Sequence, residues 1–356
     1  MAVLREDKSI AGFERVAVVL SGGGALGAYQ AGALAALDNA GFQPHWVAGT
    51  STGAFNAAIV AGNAPRQRVS QLRNFWRRLA AFAAKEPPPS ILGRAFRRLS
   101  GFHRDLVIGE RPFAEAAWQA LPAIDTGKLR SLLAEVIDFP RINSGKVRLS
   151  LGAVHLTTGT EIIFDNDRHI IAPEHVLASA ALPAGLAPVT IDGELYGNGG
   201  VIAVTPLPVL LDSASPADTL CFVIDCCDPS SPGSPGLSRA SQQIAAYRRR
   251  HDLRRIIGVL GDKIPAELQR DPEIRGCLAQ GSRATMNLVH LVHESDAADL
   301  VGKVADFSPA AMARRWRAGE RDMVASLGRS AWLTPPPRRV GVVVHELRGG
   351  AQIGSP

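Results

Sequence analysis

The chain has 356 residues, of which 46% are hydrophobic and 20% charged, a composition that excludes general disorder and is typical of a folded globular protein. No stretch approaches the roughly 18 consecutive apolar residues that a membrane-spanning helix needs. The opening residues mix charged and apolar side chains and lack the apolar region of a signal peptide. We therefore expect a cytoplasmic protein with either one large α/β domain or two smaller ones.

Basic clusters carry the net charge of +6 and bear on the choice of partner. They lie at residues 73–79 (RNFWRRL), 93–99 (GRAFRRL) and 247–255 (YRRRHDLRR). Arginines interleaved with aromatic residues suit peripheral contact with an anionic membrane, although such clusters are also common on ordinary solvated faces. No nucleic-acid-binding motif accompanies the charge, so we expect no nucleic-acid partner.

The first part of the chain repeats the order strand, glycine turn, helix. Residues 15–20 (RVAVVL) are a short β-branched run that stops at SGGG, and residues 25–41 then place small and apolar side chains at helical spacing up to a closing glycine. Residues 45–49 (HWVAG) predict a second strand, and residues 52–62 a second helix that also ends at a glycine. This order is typical of a parallel sheet with helical crossovers.

The middle of the chain predicts a third helix and a hairpin, separated by a segment with weak signals. Pro65 is well placed in the first turn of a helix that runs to about residue 84. Residues 85–127 open with KEPPPS and give only weak helical signals, as in a cap or lid. Residues 147–156 (VRLSLGAVHL) and 160–165 (TEIIFD) flank a TTG turn and predict the two strands of the hairpin.

Beyond this hairpin the signals alternate between helix, loop and strand. Residues 173–182 begin with proline and predict a short helix, followed by a loop-rich stretch that ends in GNGG at residues 197–200. Residues 219–225 (TLCFVID) predict a buried strand, and residues 228–236 (DPSSPGSPG) a flexible linker. The remainder is predicted to be largely helical until a final strand at residues 339–347.

The sequence GTSTG lies at the predicted turn from the second strand to the second helix. A serine in G-x-S-x-G at such a turn is typical of a hydrolase nucleophile, because the glycines permit the sharp turn that exposes its Oγ. The following helix N-terminus would favour developing negative charge. Gly49, Ser51 and Gly53 fit this pattern, and the alternative is a chance match in a tight turn of small residues.

The glycine-rich sequence SGGGALG at residues 21–27 indicates an anion site. Consecutive glycines after a strand leave backbone N–H groups able to bind a phosphate or an oxyanion. Gly22, Gly24 and Gly27 also satisfy the dinucleotide fingerprint, but no acidic residue follows at the end of the second strand, which weakens a nicotinamide-binding interpretation. A P-loop is excluded because no Gly-Lys-Ser/Thr follows.

Taken together, LSGGGALGAYQAGAL and WVAGTSTGAFNAA resemble the patatin-like phospholipase family of lipid acyl hydrolases. The stretches LASAALPAG and DGELYGNGGVIAVTPL resemble the family's segments around its catalytic aspartate. The resemblance covers about residues 14–211 and implies a three-layer α/β/α fold with a central, mostly parallel sheet. Residues 212–356 are expected to be mostly helical with a final strand, packed on the same core; NLVHL and ADFSPAAMARRWRAGERD within them resemble one bacterial branch of the family.

The resemblance also implies a set of site residues. Ser51 is the nucleophile of a Ser–Asp dyad that works without histidine, and Gly22, Gly23 and Gly24 supply the oxyanion hole. The family often carries Arg or Lys where this chain has Leu26. This departure is mild, because the backbone and not the side chain would make the oxyanion hole.

Asn198 is the larger departure, because it occupies the position of the dyad aspartate and a neutral amide cannot serve as a general base. Three explanations are open: an engineered substitution that traps an inactive enzyme, a natural binding relic of an esterase, or a base supplied by another group such as Asp192, His155 or Asp165. The first is favoured because every neighbouring motif is intact. Slow deamidation of the Asn-Gly sequence would also regenerate an aspartate here.

The sequence therefore predicts a serine hydrolase of lipid acyl esters that needs no metal or organic cofactor and is impaired by the asparagine. The alternative from another class is a catalytically silent lipid- or acyl-binding protein on the same fold. A second alternative is a Ser–His–Asp esterase that uses Asp225 and either His251 or His345. His290 and His293 match no zinc motif and are expected to be helical residues without a metal. The four cysteines lack the spacing of a zinc site or a disulfide framework.

Overall fold

The computed structural model of the protein describes residues 12–83, 124–181, 186–201, 205–211, 217–226, 239–293, 300–329, 331–338, 340–348 and 351–352. Most of the segment 85–127, interpreted above as a cap or lid, lies outside the described residues. The linker at residues 228–236 and the basic cluster at residues 93–99 also lie outside them.

Strands from both halves of the chain form one sheet. In the described residues its ten members are β1 (Arg15–Leu20), β2 (Trp46–Thr50), β3 (Arg148–His155), β4 (Thr160–Asp165), β5 (Val189–Ile191), β6 (Glu194–Asn198), β7 (Thr219–Asp225), β8 (Met286–Val292), β9 (Val342–Arg348) and β10 (Ala351–Gln352). Six of them pair in parallel in the order β9-β8-β7-β1-β2-β3. The hairpin expected of β3 and β4 is confirmed by their antiparallel pairing.

Helices pack on both faces of this sheet. They are α1 (Gly27–Asn39), α2 (Thr52–Ala61), α3 (Pro65–Ala83), α4 (Thr126–Val136), α5 (Phe139–Asn143), α6 (Pro173–Ala180), α7 (Leu207–Leu211), α8 (Arg239–Gly261), α9 (Pro272–Leu278), α10 (Leu300–Ala305) and α11 (Pro309–Leu327). Successive strand residues face opposite sides, so Val18 and Leu20 enter a large core with α1 to α6 and α11, whereas Val19 enters a smaller core with α7. The result is the expected three-layer α/β/α fold around a mostly parallel sheet.

A hairpin replaces part of the loop-rich stretch expected before residues 197–200. β5 and β6 pair in antiparallel fashion, and the two residues between them, Asp192 and Gly193, have φ of 52° and 84°. Asp-Gly is a strong signal for such a turn, so the clue was present in the sequence. Along one side of β3, β2 pairs as far as residue 152, and β6 pairs with the next residues, 153–155. The other side of β3 pairs with β4. Asn198 therefore lies at the carboxyl end of β2.

A strand also replaces part of the helix expected in the C-terminal third. Residues 286–292 (MNLVHLV) form β8, which is buried along its whole length between β7 and β9. The prediction that His290 and His293 are helical is therefore wrong: the first lies on β8 and the second follows it directly. A short apolar run rich in branched residues suits a parallel strand covered on both faces. The expected final strand is observed as β9.

The basic cluster at residues 73–79 lies on α3, and its aromatic residues are not on the surface. Phe75 and Trp76 are buried in the large core. Arg73 lies over the ring of Trp316, with 4.9 Å between the guanidinium carbon and the ring centroid. These aromatic side chains thus stabilise the interior. In the part of the chain that the structure describes, no helix is both long enough and apolar enough to cross a membrane.

Helices α1 and α11 cross with their backbones in close contact. A Cβ added to Gly32 of α1 would overlap the Trp316 carbonyl oxygen, and one added to Gly319 of α11 would overlap the Tyr29 carbonyl oxygen. Only glycine leaves room for this approach. The C-terminal helix is therefore held directly against the helix that follows the glycine turn.

We expect Gly319→Ala to destabilise the fold by about 2 kcal/mol or more, because the added methyl group meets main-chain atoms that cannot move aside. Gly276→Ala is the matched control, since a Cβ at this position on α9 has no atom within 4 Å and alanine favours a helix over glycine. Thermal unfolding of both variants measures the difference. Equal melting temperatures would contradict the close crossing of α1 and α11.

Candidate active site

Ser51 lies at the turn from β2 to α2, where the chain changes direction sharply. Its backbone has φ of 58° and ψ of −127°, a conformation that residues other than glycine seldom adopt. Glycines flank the turn: a Cβ on Gly49 would lie 2.6 Å from the Gly53 carbonyl carbon, and one on Gly53 would lie 2.7 Å from the Ser21 carbonyl oxygen. A strained serine in this position supports the interpretation of GTSTG as a nucleophile turn.

Ser179 of α6 holds the backbone of Ser51. The Ser51 N–H donates to both the carbonyl oxygen and the hydroxyl of Ser179, each at 3.2 Å. The Ser179 hydroxyl in turn donates to the Gly152 carbonyl oxygen of β3 at 2.6 Å. Sequence reasoning did not single out Ser179, although it lies in the stretch LASAALPAG. Its hydroxyl ties α6, β3 and the serine turn together.

The glycine turn lies beside Ser51 because β1 and β2 are parallel neighbours. Leu20 is opposite Gly49 in their register, so the residues that follow each strand emerge side by side. A Cβ added to Gly22 would lie 3.0 Å from the Cβ of Ser51 and 3.7 Å from its Oγ. The structure thus brings the two motifs of the sequence together at the carboxyl ends of the parallel strands.

The backbone of the glycine turn offers hydrogen-bond donors beside Ser51. Gly23 packs against Cys226, whose Sγ would lie 2.8 Å from an added Cβ, and Gly24 has φ of 55°. Within the described residues, the N–H groups of Gly22, Gly23 and Gly24 have no hydrogen-bond acceptor. The N-terminus of α2 begins immediately after Ser51 and adds its partial positive charge. These groups can stabilise an anion that forms beside the serine.

Asn198, at the end of β6, contacts Ser51 across 147 positions of sequence. Its Nδ2 donates to Ser51 Oγ at 3.0 Å, and its Oδ1 accepts the Gly200 N–H at 2.7 Å. Because the Gly200 N–H needs an acceptor, this second bond identifies Oδ1 and directs Nδ2 to the serine. The Asn198 backbone N–H donates to the Ala181 carbonyl oxygen at 2.8 Å. Ser51 and Asn198 are only 8% and 3% exposed.

The amide limits what this pair can do chemically. It donates a hydrogen bond to the Ser51 oxygen and has no site that accepts the hydroxyl proton with the affinity of a carboxylate. A carboxylate in the same place would accept the Gly200 N–H with one oxygen and the Ser51 hydroxyl with the other. The hydrogen bond between Asn198 and Ser51 therefore runs in the direction opposite to that between a serine and a general base.

The three other candidate bases have different surroundings. Asp192 is exposed in the turn between β5 and β6. His155 Nε2 contacts Glu194 Oε2 at 3.1 Å, and Asp165 is buried in an ion pair with Arg148 at 3.0 Å. None of them hydrogen-bonds to the candidate nucleophile in the described part of the chain, and the proposal of a substitute base gains no support.

The alternative Ser–His–Asp arrangement is contradicted by the contacts of its acid. Asp225 Oδ2 lies 2.6 Å from His290 Nε2, and its Oδ1 accepts from Thr205 Oγ1 at 2.9 Å. His251 instead contacts a backbone carbonyl oxygen at 2.9 Å, and His345 contacts an asparagine Oδ1 at 3.3 Å. The buried pair joins β7 and β8 and ties the segment after β6 to them. Sequence reasoning missed it because it expected His290 on a helix.

A polar network behind the glycine turn was also missed. Arg315 of α11 is buried, and its Nη1 donates to the Ala25 carbonyl oxygen at 3.3 Å. Tyr29 OH donates to Asp322 Oδ2 at 3.2 Å, and the ring of His293 stacks on Tyr29 with centroids 4.3 Å apart. Burial lowers the pKa of His293 to about 4 and raises that of Tyr29. The network fixes the helix after the glycine turn to the C-terminal helix.

A known protein family matches the part of the chain that contains the candidate site residues. The sequence profile of the patatin-like phospholipases matches residues 18–211, more than half of the chain. The chain belongs to the patatin-like phospholipase family. A second profile, described as patatin phospholipase, matches residues 237–339, which contain β8 and α11. Membership supports a lipid-hydrolase function for this patatin-like protein.

Solved structures are similar to this patatin-like protein at low sequence identity. VipD from Legionella pneumophila is 14% identical, with a TM-score of 0.36 over 86% of this chain and 67% of that one. The human GIVD cytosolic phospholipase A2 is 11% identical, with a TM-score of 0.34 over 65% of this chain and 45% of that one. No curated protein matches the chain at a significant level.

We expect His293→Phe to make the protein less sensitive to mild acid while preserving the stack on Tyr29. Because burial lowers the folded-state pKa of His293 from 6.5 to about 4, the unfolded chain binds a proton between these values that the folded chain does not. This contribution costs stability as the pH falls through that window, by at most about 3 kcal/mol. Melting temperatures at neutral and mildly acidic pH measure the effect. An equal loss in parent and variant would contradict the burial of a neutral His293.

Proposed function

We propose that this patatin-like protein is a lipid acyl-ester hydrolase whose activity is restrained by asparagine at the position of the dyad acid. The observation that carries the proposal is the 3.0 Å contact between Asn198 Nδ2 and Ser51 Oγ at the strained turn of GTSTG. Family membership supports the substrate class. The contact supports Ser51 as nucleophile and position 198 as the place of its base.

In this mechanism Ser51 Oγ attacks the carbonyl carbon of the lipid ester. The N–H groups of Gly22, Gly23 and Gly24 stabilise the oxyanion that develops, aided by the N-terminus of α2. Collapse of the intermediate releases the alcohol and leaves an acyl-enzyme, which water then hydrolyses. A carboxylate at position 198 would take the proton from the serine and pass it to the leaving alcohol, then take a proton from the water and return it to Ser51 Oγ. The amide does neither, so both steps are slow.

We expect Asn198→Asp to raise ester hydrolysis by about 100-fold or more, since a positioned general base typically contributes at least this factor. The measurement is the steady-state rate on a chromogenic acyl ester and on phospholipid vesicles. The same variant carrying Ser51→Ala is the matched control and should lose the gain. An unchanged rate in Asn198→Asp would refute the dyad assignment.

A catalytically silent lipid- or acyl-binding protein is the competing function. It is favoured by the Asn198 amide, which donates to the serine oxygen instead of accepting its proton. The two functions differ in the covalent reactivity of Ser51 toward a fluorophosphonate. Labelling of the parent would indicate a working hydrolase, and labelling of Asn198→Asp alone would indicate a disarmed one. No labelling of either protein would favour the silent binder.

We also propose peripheral contact with anionic lipid through the second half of α8. Leu253, Ile256 and Leu260 follow the i, i+3, i+7 spacing of one helix face and are 63%, 47% and 54% exposed. They lie opposite the buried His251, and the exposed Arg249 continues the same face. An apolar ridge beside arginine suits a bilayer interface. His251 contacts the segment just before β8, so α8 lies near the amino ends of the strands, whereas Ser51 lies at their carboxyl ends. We therefore assign the apolar ridge to membrane tethering and not to substrate entry.

We expect Leu253→Asp combined with Leu260→Asp to reduce cosedimentation with phosphatidylglycerol vesicles severalfold, because charge replaces the apolar ridge. Val324→Asp is the matched control, since Val324 on α11 is also 56% exposed but lies outside the ridge. Equal binding by parent and double variant would rule out α8 as the tether.

A further inference from the structure

The surroundings of the Asn198 side chain favour a reaction of that side chain itself. Asn198 is the only asparagine in the sequence that glycine follows. Its Oδ1 accepts the Gly200 N–H at 2.7 Å and thereby closes an Asx turn. The ring closed by this hydrogen bond contains both the Asn198 Cγ and the Gly199 nitrogen, so the bond restricts how the side-chain amide can move relative to that nitrogen. This restriction lowers the entropic barrier to attack of the nitrogen on Cγ.

Groups with suitable chemistry contact both ends of the amide. The Gly200 N–H on Oδ1 would stabilise negative charge on this oxygen in a tetrahedral intermediate. Ser51 Oγ lies 3.0 Å from Nδ2, the nitrogen that would leave. Once Nδ2 becomes a tetrahedral amine with a lone pair, the hydroxyl can rotate and donate its proton. Gly199 has no side chain to shield its nitrogen, and a Cβ at this position would collide with the Gly152 carbonyl oxygen.

We propose that Asn198 is a self-deamidation site, at which the candidate active site converts its own amide to a carboxylate. The consequence for activity rests on the proposed function, because the product is the base that the Ser51 dyad lacks. The conversion itself does not depend on that function. The chain is then synthesised in a restrained form and gains activity as position 198 becomes aspartate.

The reaction is balanced with water as the only co-reactant. The Gly199 nitrogen attacks Asn198 Cγ, an N–Cγ bond forms, and the Cγ–Nδ2 bond breaks to leave a succinimide. Ammonia departs with the two amide hydrogens and a third proton, which Ser51 donates and then recovers from the Gly199 nitrogen. Water opens the ring at Cγ, its oxygen stays on the new carboxyl, and a proton returns to the Gly199 nitrogen. No oxidant or reductant takes part.

The fold also selects the product of ring opening. Opening at the backbone carbonyl would give an isoaspartate, which inserts one more atom into the main chain. This insertion would disturb the 2.8 Å hydrogen bond from the Asn198 N–H to Ala181 and the pairing of Asn198 with Ala153. It would also disturb the close approach of Gly199 to Gly152. Opening at Cγ preserves these contacts, so the folded protein should form ordinary aspartate.

The test is incubation of the freshly purified full chain in heavy-oxygen water at mildly alkaline pH, followed by peptide mass spectrometry. We expect conversion at position 198, with one heavy oxygen and mainly ordinary aspartate, and we expect Ser51→Ala to slow it about tenfold. The same chain in denaturant should give both isomers. Persistence of the amide in the folded protein, over a time in which the denatured chain loses it, would overturn the proposal.

Two controls separate this inference from the proposed function. Asn143 precedes a serine, and both ends of its amide bond the backbone of Ile171, so it should remain an amide in the same sample. Asn198→Gln should neither convert nor gain reactivity toward the fluorophosphonate with time. Conversion at 198 without a gain in Ser51 labelling would uphold the deamidation and reject the dyad. An active Asn198→Asp variant with a stable parent amide would do the reverse.

Discussion

Backbone packing without room for side chains is the constraint on which the candidate site depends. The ends of β1, β2, β3 and β6 approach so closely around Ser51 that a Cβ would collide or press on a neighbour at several glycines: Gly22, Gly49, Gly53, Gly152 and Gly199. These contacts hold the serine in its unfavourable φ of 58°, since strain of this kind persists only where the surroundings impose it. They also bring the glycine turn and Asn198 within reach of the serine.

The C-terminal part of the chain packs against the helix and the turn that carry the candidate site. Gly319 lets α11 lie directly on α1, and Arg315 reaches from α11 to the carbonyl oxygen of Ala25 in the glycine turn. The contact between the buried Asp225 and His290 joins β7 and β8. Asp225 also accepts a hydrogen bond from Thr205, which follows Asn198 closely in the sequence. Charged and polar groups at such depth are tolerated because each is paired. Both regions matched by patatin profiles therefore contribute to the packing around the candidate site.

One amide nitrogen separates the two functions considered for this patatin-like protein. The backbone N–H of Gly200 orients Asn198 so that Nδ2, and not Oδ1, meets Ser51. A carboxylate oxygen of similar size would keep the same contacts and reverse the direction of the hydrogen bond to the serine. The chemistry at this position therefore depends on whether the group that faces Ser51 can accept a proton, while the surrounding structure is unchanged.

The sequence by itself determined the local elements and pointed to the candidate residues for chemistry. The runs around GGG and GTSTG predicted β1, α1, β2 and α2, because glycine punctuation and residue spacing act within a few positions. The resemblance of its motif also singled out Asn198, and the structure shows that this residue contacts Ser51. Only the tertiary structure decided that MNLVHLV is a buried strand, that Phe75 and Trp76 of a basic cluster belong to the core, and that His290 is the partner of Asp225. These features depend on which distant segments pair and pack, and the free energy of that burial is not encoded in the spacing of neighbouring residues.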